Sequence, residues 1–161
     1  MRSILQIMLV AGLTLSILSN EVWGGQPVKL GEDWIFYGKN YQGKHYYDKN
    51  SIICPYNSKA IVRVWETTIY GEGGTNSYIQ ELVNKGITRD TISQMGIDKL
   101  ATMETQLEID CKEMRYGAVQ VILYDKNGKT LDKYSYSPIQ RNQSVEEGMV
   151  IERLFKKACN F

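Results

Sequence analysis

Apolar and polar side chains alternate along two long segments of the chain, and this pattern predicts two β-strands. Residues 60–70 are rich in the β-branched and aromatic residues that favour strands. Residues 101–111 alternate more regularly, so that one face is mainly apolar from Met103 to Cys111. The other face of this segment carries the polar residues Glu104, Gln106, Glu108 and Asp110. We therefore predict a half-buried strand there, whose polar face is solvated.

Shorter strand patterns flank two turns. Residues 33–37 and 44–48 are predicted to pair across a segment of turn composition. Residues 115–125 and 129–136 flank the dipeptide Asn127-Gly128. Because Asn-Gly tolerates the two positive φ angles of a type I′ turn, this segment predicts a tight β-hairpin.

The C-terminus has the period of an amphipathic helix. Apolar residues recur there at spacings of three and four: Val150, Ile151, Leu154, Phe155, Ala158 and Cys159. Ser144 and Glu147 have the spacing of a capping box, which predicts that the helix begins there. Strands followed by one amphipathic helix predict an α+β fold, in which a curved antiparallel sheet packs one face against the C-terminal helix.

The segment between the two long strands is less regular. Gly71-Glu72-Gly73-Gly74 is expected to be a loop, because it lacks the Gly-Lys-Ser/Thr ending of a phosphate-binding loop. Asn76 or Ser77 is expected to cap a short helix that ends at Asn84. A second helical turn is expected after Thr88.

The N-terminus has the three-part plan of a secretory signal peptide. Arg2 precedes an apolar run over residues 4–18, and Gly24 suits the position that signal peptidase reads. We predict that residues 1–24 are removed, which leaves one exported domain over residues 25–161 without a membrane span. An uncleaved anchor is the alternative, although the run is shorter than the ~20 residues that cross a bilayer.

The charge balance argues against partners that bind by electrostatics alone. The chain has 19 basic and 18 acidic residues and a net charge of +1. The two signs are interspersed, so no nucleic-acid partner is predicted.

The titratable residues form no recognisable catalytic or metal-binding pattern. His45 is the only histidine, and the sequence indicates no nucleophile or orienting carboxylate beside it. One histidine and three scattered cysteines lack zinc-site spacing, so we predict no metal and no other cofactor. Asp48, Glu108 and Asp110 are the candidate acids of a secreted hydrolase, but a solvated sheet surface explains them more simply.

Three cysteines, Cys54, Cys111 and Cys159, lie in the exported part of the chain. An oxidising compartment favours a disulfide between two of them. Cys111 is on the apolar face of its strand and Cys159 continues the apolar row of the helix, so these two are the predicted pair. A pairing through Cys54 and three free thiols are the alternatives. An unpaired Cys54 could also link two chains into a homodimer.

Tyrosine is abundant, with eleven residues in the chain, and four of them cluster early in the domain: Tyr37, Tyr41, Tyr46 and Tyr47. Tyrosine combines a large apolar ring with a polar hydroxyl, which suits protein-binding surfaces. It is also a common strand residue. We treat the four as a candidate binding surface, with a purely structural role as the alternative.

Several short motifs occur in the order found in a known family: Trp34-Ile35-Phe36-Tyr37-Gly38, Tyr46-Tyr47-Asp48, Val62-Arg63-Val64-Trp65, Glu108-Ile109-Asp110-Cys111 and Tyr124-Asp125-Lys126-Asn127-Gly128. With a C-terminal helix ending in Cys159, the chain resembles the surface-adhesin protein E-like family of bacterial exported proteins. The resemblance implies a sheet of about six strands, with the helix tethered to it by a disulfide between Cys111 and Cys159. Residues 71–100 are longer than the family pattern, and Cys54 lies outside it.

The function implied by the resemblance is that of a non-enzymatic binding protein of the periplasm or cell surface. The family's named member is an adhesin that binds host extracellular-matrix and serum proteins and can dimerise. A small-ligand or peptide carrier that uses the concave sheet face is a second hypothesis, but the terminal helix is expected to fill that face. A secreted hydrolase is the third.

Overall fold

Seven strands form one antiparallel sheet in the computed structural model, which describes residues 30–160. Six strands follow chain order across the sheet, and the short seventh pairs with the fifth. The strands are β1 (Trp34–Lys39), β2 (Gly43–Asp48), β3 (Ile61–Tyr70), β4 (Leu100–Asp110), β5 (Arg115–Asp125), β6 (Thr130–Ser135) and β7 (Gln143–Ser144). This arrangement confirms the predicted antiparallel sheet of about six strands. The predicted signal peptide, residues 1–24, lies outside the described residues.

The helices of the described chain are α1 (Glu72–Asn84), α2 (Arg89–Gln94) and α3 (Val150–Ala158). They pack on one side of the sheet, which we call the covered face. Val64 and Leu107 lie opposite each other on β3 and β4 and pack with α3 on this side. The next cross-strand pair, Arg63 and Glu108, lies on the other side, which we call the open face.

Two separate apolar clusters cover the two ends of the covered face. At one end α1 and α2 bury Tyr78, Leu82 and Ile92 against sheet residues that include Tyr70 and Leu123. At the other end α3 packs against β3 and β4, and the buried members of that cluster are Tyr37, Tyr47, Val62, Val64, Leu107, Ile109, Leu154 and Ala158. The apolar stripe predicted for the C-terminal helix is therefore its packing face.

A disulfide joins α3 to the sheet. Cys111 and Cys159 are bonded, with Cα atoms 5.7 Å apart and a sequence separation of 48 residues. The bond confirms the predicted pair. A loop of this length constrains the unfolded chain enough to stabilise the fold by about 4 kcal/mol in the chain-entropy model.

The start of the C-terminal helix was predicted wrongly. Ser144 does not cap it, because Ser144 pairs with Arg115 as part of β7. The helix begins at Val150, and its N-cap residue, Met149, makes no side-chain cap bond. Glu152 contributes the compensating interaction, since its Oε2 accepts a hydrogen bond from Gly148 N at 2.9 Å.

The glycine-rich segment before α1 was also predicted wrongly as a loop. Gly71 is the N-cap of α1, and the next three residues form its first turn. A Cβ atom on Gly74 would lie 1.7 Å from the Gln42 carbonyl oxygen, so glycine is needed where this turn contacts the β1–β2 connection. The end of α1 at Asn84 and the start of α2 directly after Thr88 match the predictions. The Thr88 side chain caps α2 by accepting a hydrogen bond from Thr91 N.

The β5–β6 hairpin forms as predicted, but its turn is not type I′. Within this turn, Gly128 alone has a positive φ, +78°, whereas a type I′ turn needs two such residues. Gly128 N donates to Asp125 O at 3.0 Å, and Asp125 N donates to Lys129 O at 2.9 Å. This is a three-residue loop whose last residue is left-handed, and the Asp125 side chain favours it by accepting a hydrogen bond from Asn127 N at 2.8 Å.

Candidate functional site

The open face has no helix packed on it within residues 30–160, and we consider it as a candidate interaction surface. One stretch of chain, residues 136–142, crosses it between β6 and β7; we call this the crossing segment. Gly117 lies opposite Glu108 on β5, and a Cβ there would lie 2.1 Å from the Gln140 carbonyl oxygen. The crossing segment therefore rests directly on the β5 backbone.

The crossing segment completes an ion-pair cluster around Glu108. Arg63 Nε donates to Glu108 Oε2 at 2.8 Å, and Arg141 Nη1 donates to Oε1 at 2.5 Å. Tyr56 OH donates to Oε2 at 3.1 Å. Glu108 is only 1% exposed, so the prediction that it lies on a solvated face is wrong. The two guanidinium groups and the crossing segment cover it.

This cluster carries a net positive charge beside an exposed aromatic ring. Two guanidinium groups share one carboxylate, and the hydrogen bond from Arg63 to Glu108 raises the pKa of Arg63 further above its usual value. The Arg63 guanidinium also lies 5.6 Å from the centroid of the Tyr56 ring, which is 56% exposed. Arginine and tyrosine are the residue types enriched where proteins bind one another.

The β1–β3 part of the open face is aromatic. The rings of Phe36 and Tyr46 meet edge to face with centroids 5.5 Å apart. Phe36 is 51% exposed, and Tyr46 lies opposite Thr67 of β3 on the same face. Trp65, also on this face, is half-buried. The open face thus presents an arginine–tyrosine cluster and an aromatic patch.

The four candidate tyrosines do not form one surface. Tyr46 lies on the open face, and Tyr41 is exposed in the β1–β2 turn, where burial and then Glu81 of α1 raise its pKa. Tyr37 and Tyr47 are buried beneath α3. Strand alternation places Tyr37 on the side opposite Phe36, and an extra residue between Phe36 and Gly38 brings Gly38 onto the covered face as well. The sequence did not predict this bulge.

A polar group lies between the two apolar clusters on the covered face. Glu66 accepts a short hydrogen bond from Tyr37 OH, and burial raises the Glu66 pKa from 4.5 to about 7. Burial lowers the pKa of His45 from 6.5 to about 4. Glu66 was missed as a functional candidate, yet its position was a signal, since it falls on the otherwise buried face of β3.

The candidate acids have separate structural roles. Asp48 caps a 3₁₀ turn by accepting from Asn50 N at 2.8 Å. Asp110 accepts from Glu113 N at 2.9 Å in the β4–β5 turn. Asp48 and Asp110 therefore bond within their own turns, whereas Glu108 is held by the distant residues Arg63 and Arg141. Among the described residues, no group of three or more His, Cys, Asp or Glu side chains is placed to hold a metal ion.

Cys54 is half-buried and is not in the disulfide. It packs with the α3 cluster, which reduces its access to a second chain. No helix between residues 30 and 160 has the length and apolar character needed to cross a membrane.

The chain resembles a family of bacterial adhesins in both sequence and fold. The sequence model of the family named surface-adhesin protein E matches residues 34–160. The structure of crystal form II of Haemophilus influenzae protein E is similar over 86% of this chain and 95% of that chain, with 12% identity and a TM-score of 0.52. The selenomethionine form of the same protein is similar over 84% of this chain and 92% of that chain, again with 12% identity and a TM-score of 0.52. No curated protein sequence matches the chain.

Proposed function

Because the chain belongs to the surface-adhesin protein E family, we propose that it is an exported, non-enzymatic adhesin that binds protein partners through the open face of its sheet. Membership of the family supports a surface adhesin at the cell surface. The proposal adds the binding surface and the class of partner.

The observation that carries the proposal is the composition of the open face. Tyr56 and Phe36 are both more than half exposed, whereas five of the other ten tyrosines are buried. Tyr56 lies against Arg63, and Phe36 lies against Tyr46. Aromatic rings lose little conformational entropy on binding, and Arg63 is already held by Glu108, so both suit a surface that holds another protein.

Export is part of the proposal. We propose that residues 1–24 are removed and that the mature chain begins at Gly25. Mass spectrometry of the protein recovered from intact cells tests this directly. A mature mass that retains residues 1–24 would contradict removal, and resistance to protease added to intact cells would contradict exposure at the cell surface.

The binding test uses the full chain expressed through its own leader, so that the disulfide forms. The purified protein is passed over a panel of immobilised host extracellular-matrix proteins, and affinity is measured for each. Tyr56→Ala and Tyr46→Ala are expected to weaken the binding at least about tenfold. Both changes truncate exposed or half-buried rings, and unchanged melting curves check that the fold is retained.

Tyr41→Ala is the matched control. It removes the same type of side chain from an exposed site in the β1–β2 turn, away from the open face. Its affinity is expected to stay within about twofold of the wild type. If Tyr41→Ala abolishes binding while both open-face variants keep it, the proposed surface is wrong. If no matrix protein binds, host extracellular-matrix proteins are excluded as the partners.

A further inference from the structure

Glu66 is the least expected side chain on the covered face. It sits on β3 between the cluster under α1 and the cluster under α3, and it belongs to neither. No ion pair involves Glu66 within residues 30–160, whereas Glu108 on the open face has two. A buried carboxyl without a basic partner has no counter-charge of its own, so a cation from outside the chain would compensate its charge.

The walls around Glu66 are aromatic. The Tyr37 hydroxyl donates a hydrogen bond to Glu66 Oε2, and Tyr47 lies directly opposite Glu66 on β2. The Tyr37 ring lies 6.2 Å from Tyr47 and 5.8 Å from His45, centroid to centroid. The negative faces of such rings attract a cationic group. Glu66 as a whole residue keeps partial exposure, while its carboxyl group is buried beside these rings.

His45 has an unused polar atom in this neighbourhood. Its Nδ1 is 3.0 Å from Thr68 Oγ1, while its Nε2 is buried and has no hydrogen-bond partner. His45 lies opposite Thr68, two residues from Glu66 on β3, so the two side chains are diagonal neighbours on the covered face. When the Nδ1–H donates to Thr68, Nε2 is a free acceptor.

We propose that Glu66, Tyr37 and His45 form a binding site for a primary alkylammonium group, either a free amine or the end of a lysine side chain. The carboxylate supplies the counter-charge, the tyrosine ring supplies a wall for the alkyl chain, and His45 Nε2 supplies a second acceptor. A primary ammonium matches this site because it carries one charge, three donors and a narrow apolar stem.

The site has a defined pH dependence. The neighbouring groups hold constant charge between pH 6 and 8: His45, Tyr37, Tyr70 and Tyr116 are neutral there, since burial lowers the first pKa and raises the other three. Arg153 of α3 lies over Gly38 on the same face. On α1, Glu81 is paired with Lys85 at 2.6 Å. Glu66 is therefore the group whose protonation opposes binding of a cation as the pH falls.

The test measures binding of two probes to the mature chain by NMR or calorimetry: n-butylammonium, and N-acetyl-lysine amide as the lysine arm. At pH 8 the wild type is expected to bind saturably, and affinity is expected to fall about tenfold between pH 8 and pH 6. Glu66→Gln keeps the shape of the side chain and is expected to weaken binding at least about tenfold. Preference for one probe distinguishes a free amine from a lysine side chain.

Glu104→Gln is the matched control, because Glu104 also accepts a hydrogen bond from a tyrosine, Tyr124, at 3.1 Å, but on the open face. It is expected to leave both affinities unchanged. Equal binding by wild type and Glu66→Gln, or no saturable binding at pH 8, overturns the site. Neither result bears on the adhesin proposal, since no protein partner is used and the open face is unaltered.

Discussion

Two glutamates on opposite faces of the same sheet are removed from water in different ways. Glu108, on the open face, is held by Arg63 and Arg141 and by the Tyr56 hydroxyl. Glu66, on the covered face, has only the Tyr37 hydroxyl, and burial raises its pKa to about 7. Burying a carboxylate costs several kcal/mol unless charges or hydrogen bonds compensate for it.

The difference indicates that the buried carboxyl has a different role on each face. On the open face the ion pairs are used to fix the crossing segment, since Arg141 belongs to that segment and Glu108 to β4. On the covered face the Glu66 carboxyl is bonded only to the Tyr37 hydroxyl of β1 and is left without a counter-charge. The first arrangement is typical of a stable framework, and the second is typical of a site whose partner comes from elsewhere.

Removal of the disulfide tests how far the attachment of α3 to the covered face depends on that bond. Replacing both Cys111 and Cys159 with serine is expected to lower the free energy of unfolding by about 4 kcal/mol, because the 48-residue loop is no longer closed in the unfolded chain. Denaturant unfolding followed by fluorescence measures the loss. A change below about 1 kcal/mol would mean that packing alone holds α3 on the sheet.

Cys54→Ser is the control for that experiment. It removes a sulfur from the same apolar cluster but leaves the bridge intact, so a loss of at most about 1 kcal/mol is expected. Non-reducing gels of the same proteins test the predicted covalent homodimer. A dimer band that disappears in Cys54→Ser would establish a link through this residue, and monomer bands in both would exclude it.

Glu66→Gln tests the uncompensated carboxyl. Since burial raises the Glu66 pKa from 4.5 to about 7, the folded chain binds more protons than the unfolded chain within that window. The contribution of Glu66 to stability therefore falls as the pH rises through it. At pH 8 the variant is expected to be more stable than wild type by about 2–3 kcal/mol, and this gain is expected to vanish near pH 4.5.

His45 makes stability change with pH in the opposite direction. Its pKa is lowered from 6.5 to about 4, so stability linked to His45 is lost as the pH falls through that range. The pH dependences of stability that are linked to Glu66 and His45 oppose each other in the wild type. In Glu66→Gln only the dependence linked to His45 is expected to remain. Urea unfolding at several pH values measures this, with Glu104→Gln as control. A pH-independent difference between wild type and Glu66→Gln would contradict the assignment.

Glu108→Gln tests the compensated carboxyl on the open face. The substitution leaves two guanidinium groups without their anion, and both are partly solvated, so a loss of about 2 kcal/mol is expected. Asp110→Asn, on the same face of β4, is the control and should cost less, since Asp110 contacts only its own turn. An equal loss in the two variants would mean that the ion pairs contribute nothing specific.

The sequence predicted those features that depend on local period. The strand boundaries, the packing stripe of α3 and the Cys111–Cys159 pair follow from alternation and helical spacing. Glu108 was misassigned because its burial depends on Arg141 and on the passage of the crossing segment over Gly117. Those contacts join residues far apart in the chain, and no local pattern records them.

Other misses have the same kind of cause. The bulge in β1 places both Tyr37 and Gly38 on the covered face, and local alternation does not predict that two successive residues lie on one side. The start of α3 was misplaced because Ser144, a good cap by type, is used by a short strand pairing instead. Glu66 was recognisable, since a charged residue on an apolar strand face is an anomaly in the pattern itself.

The smallest effect is expected from two tyrosine hydroxyls. Tyr37→Phe removes the donor that holds the Glu66 pKa down, so the pH midpoint of the Glu66-linked stability change should move upward, with about 1 kcal/mol lost at pH 8. Tyr124→Phe removes the equivalent hydroxyl from Glu104, at 3.1 Å on the open face, and should cost about 0.5 kcal/mol. The midpoint should not move in Tyr124→Phe. If it moves equally in both variants, the shift reports a global change in the sheet rather than the covered-face pair, and the contrast between the two glutamates fails.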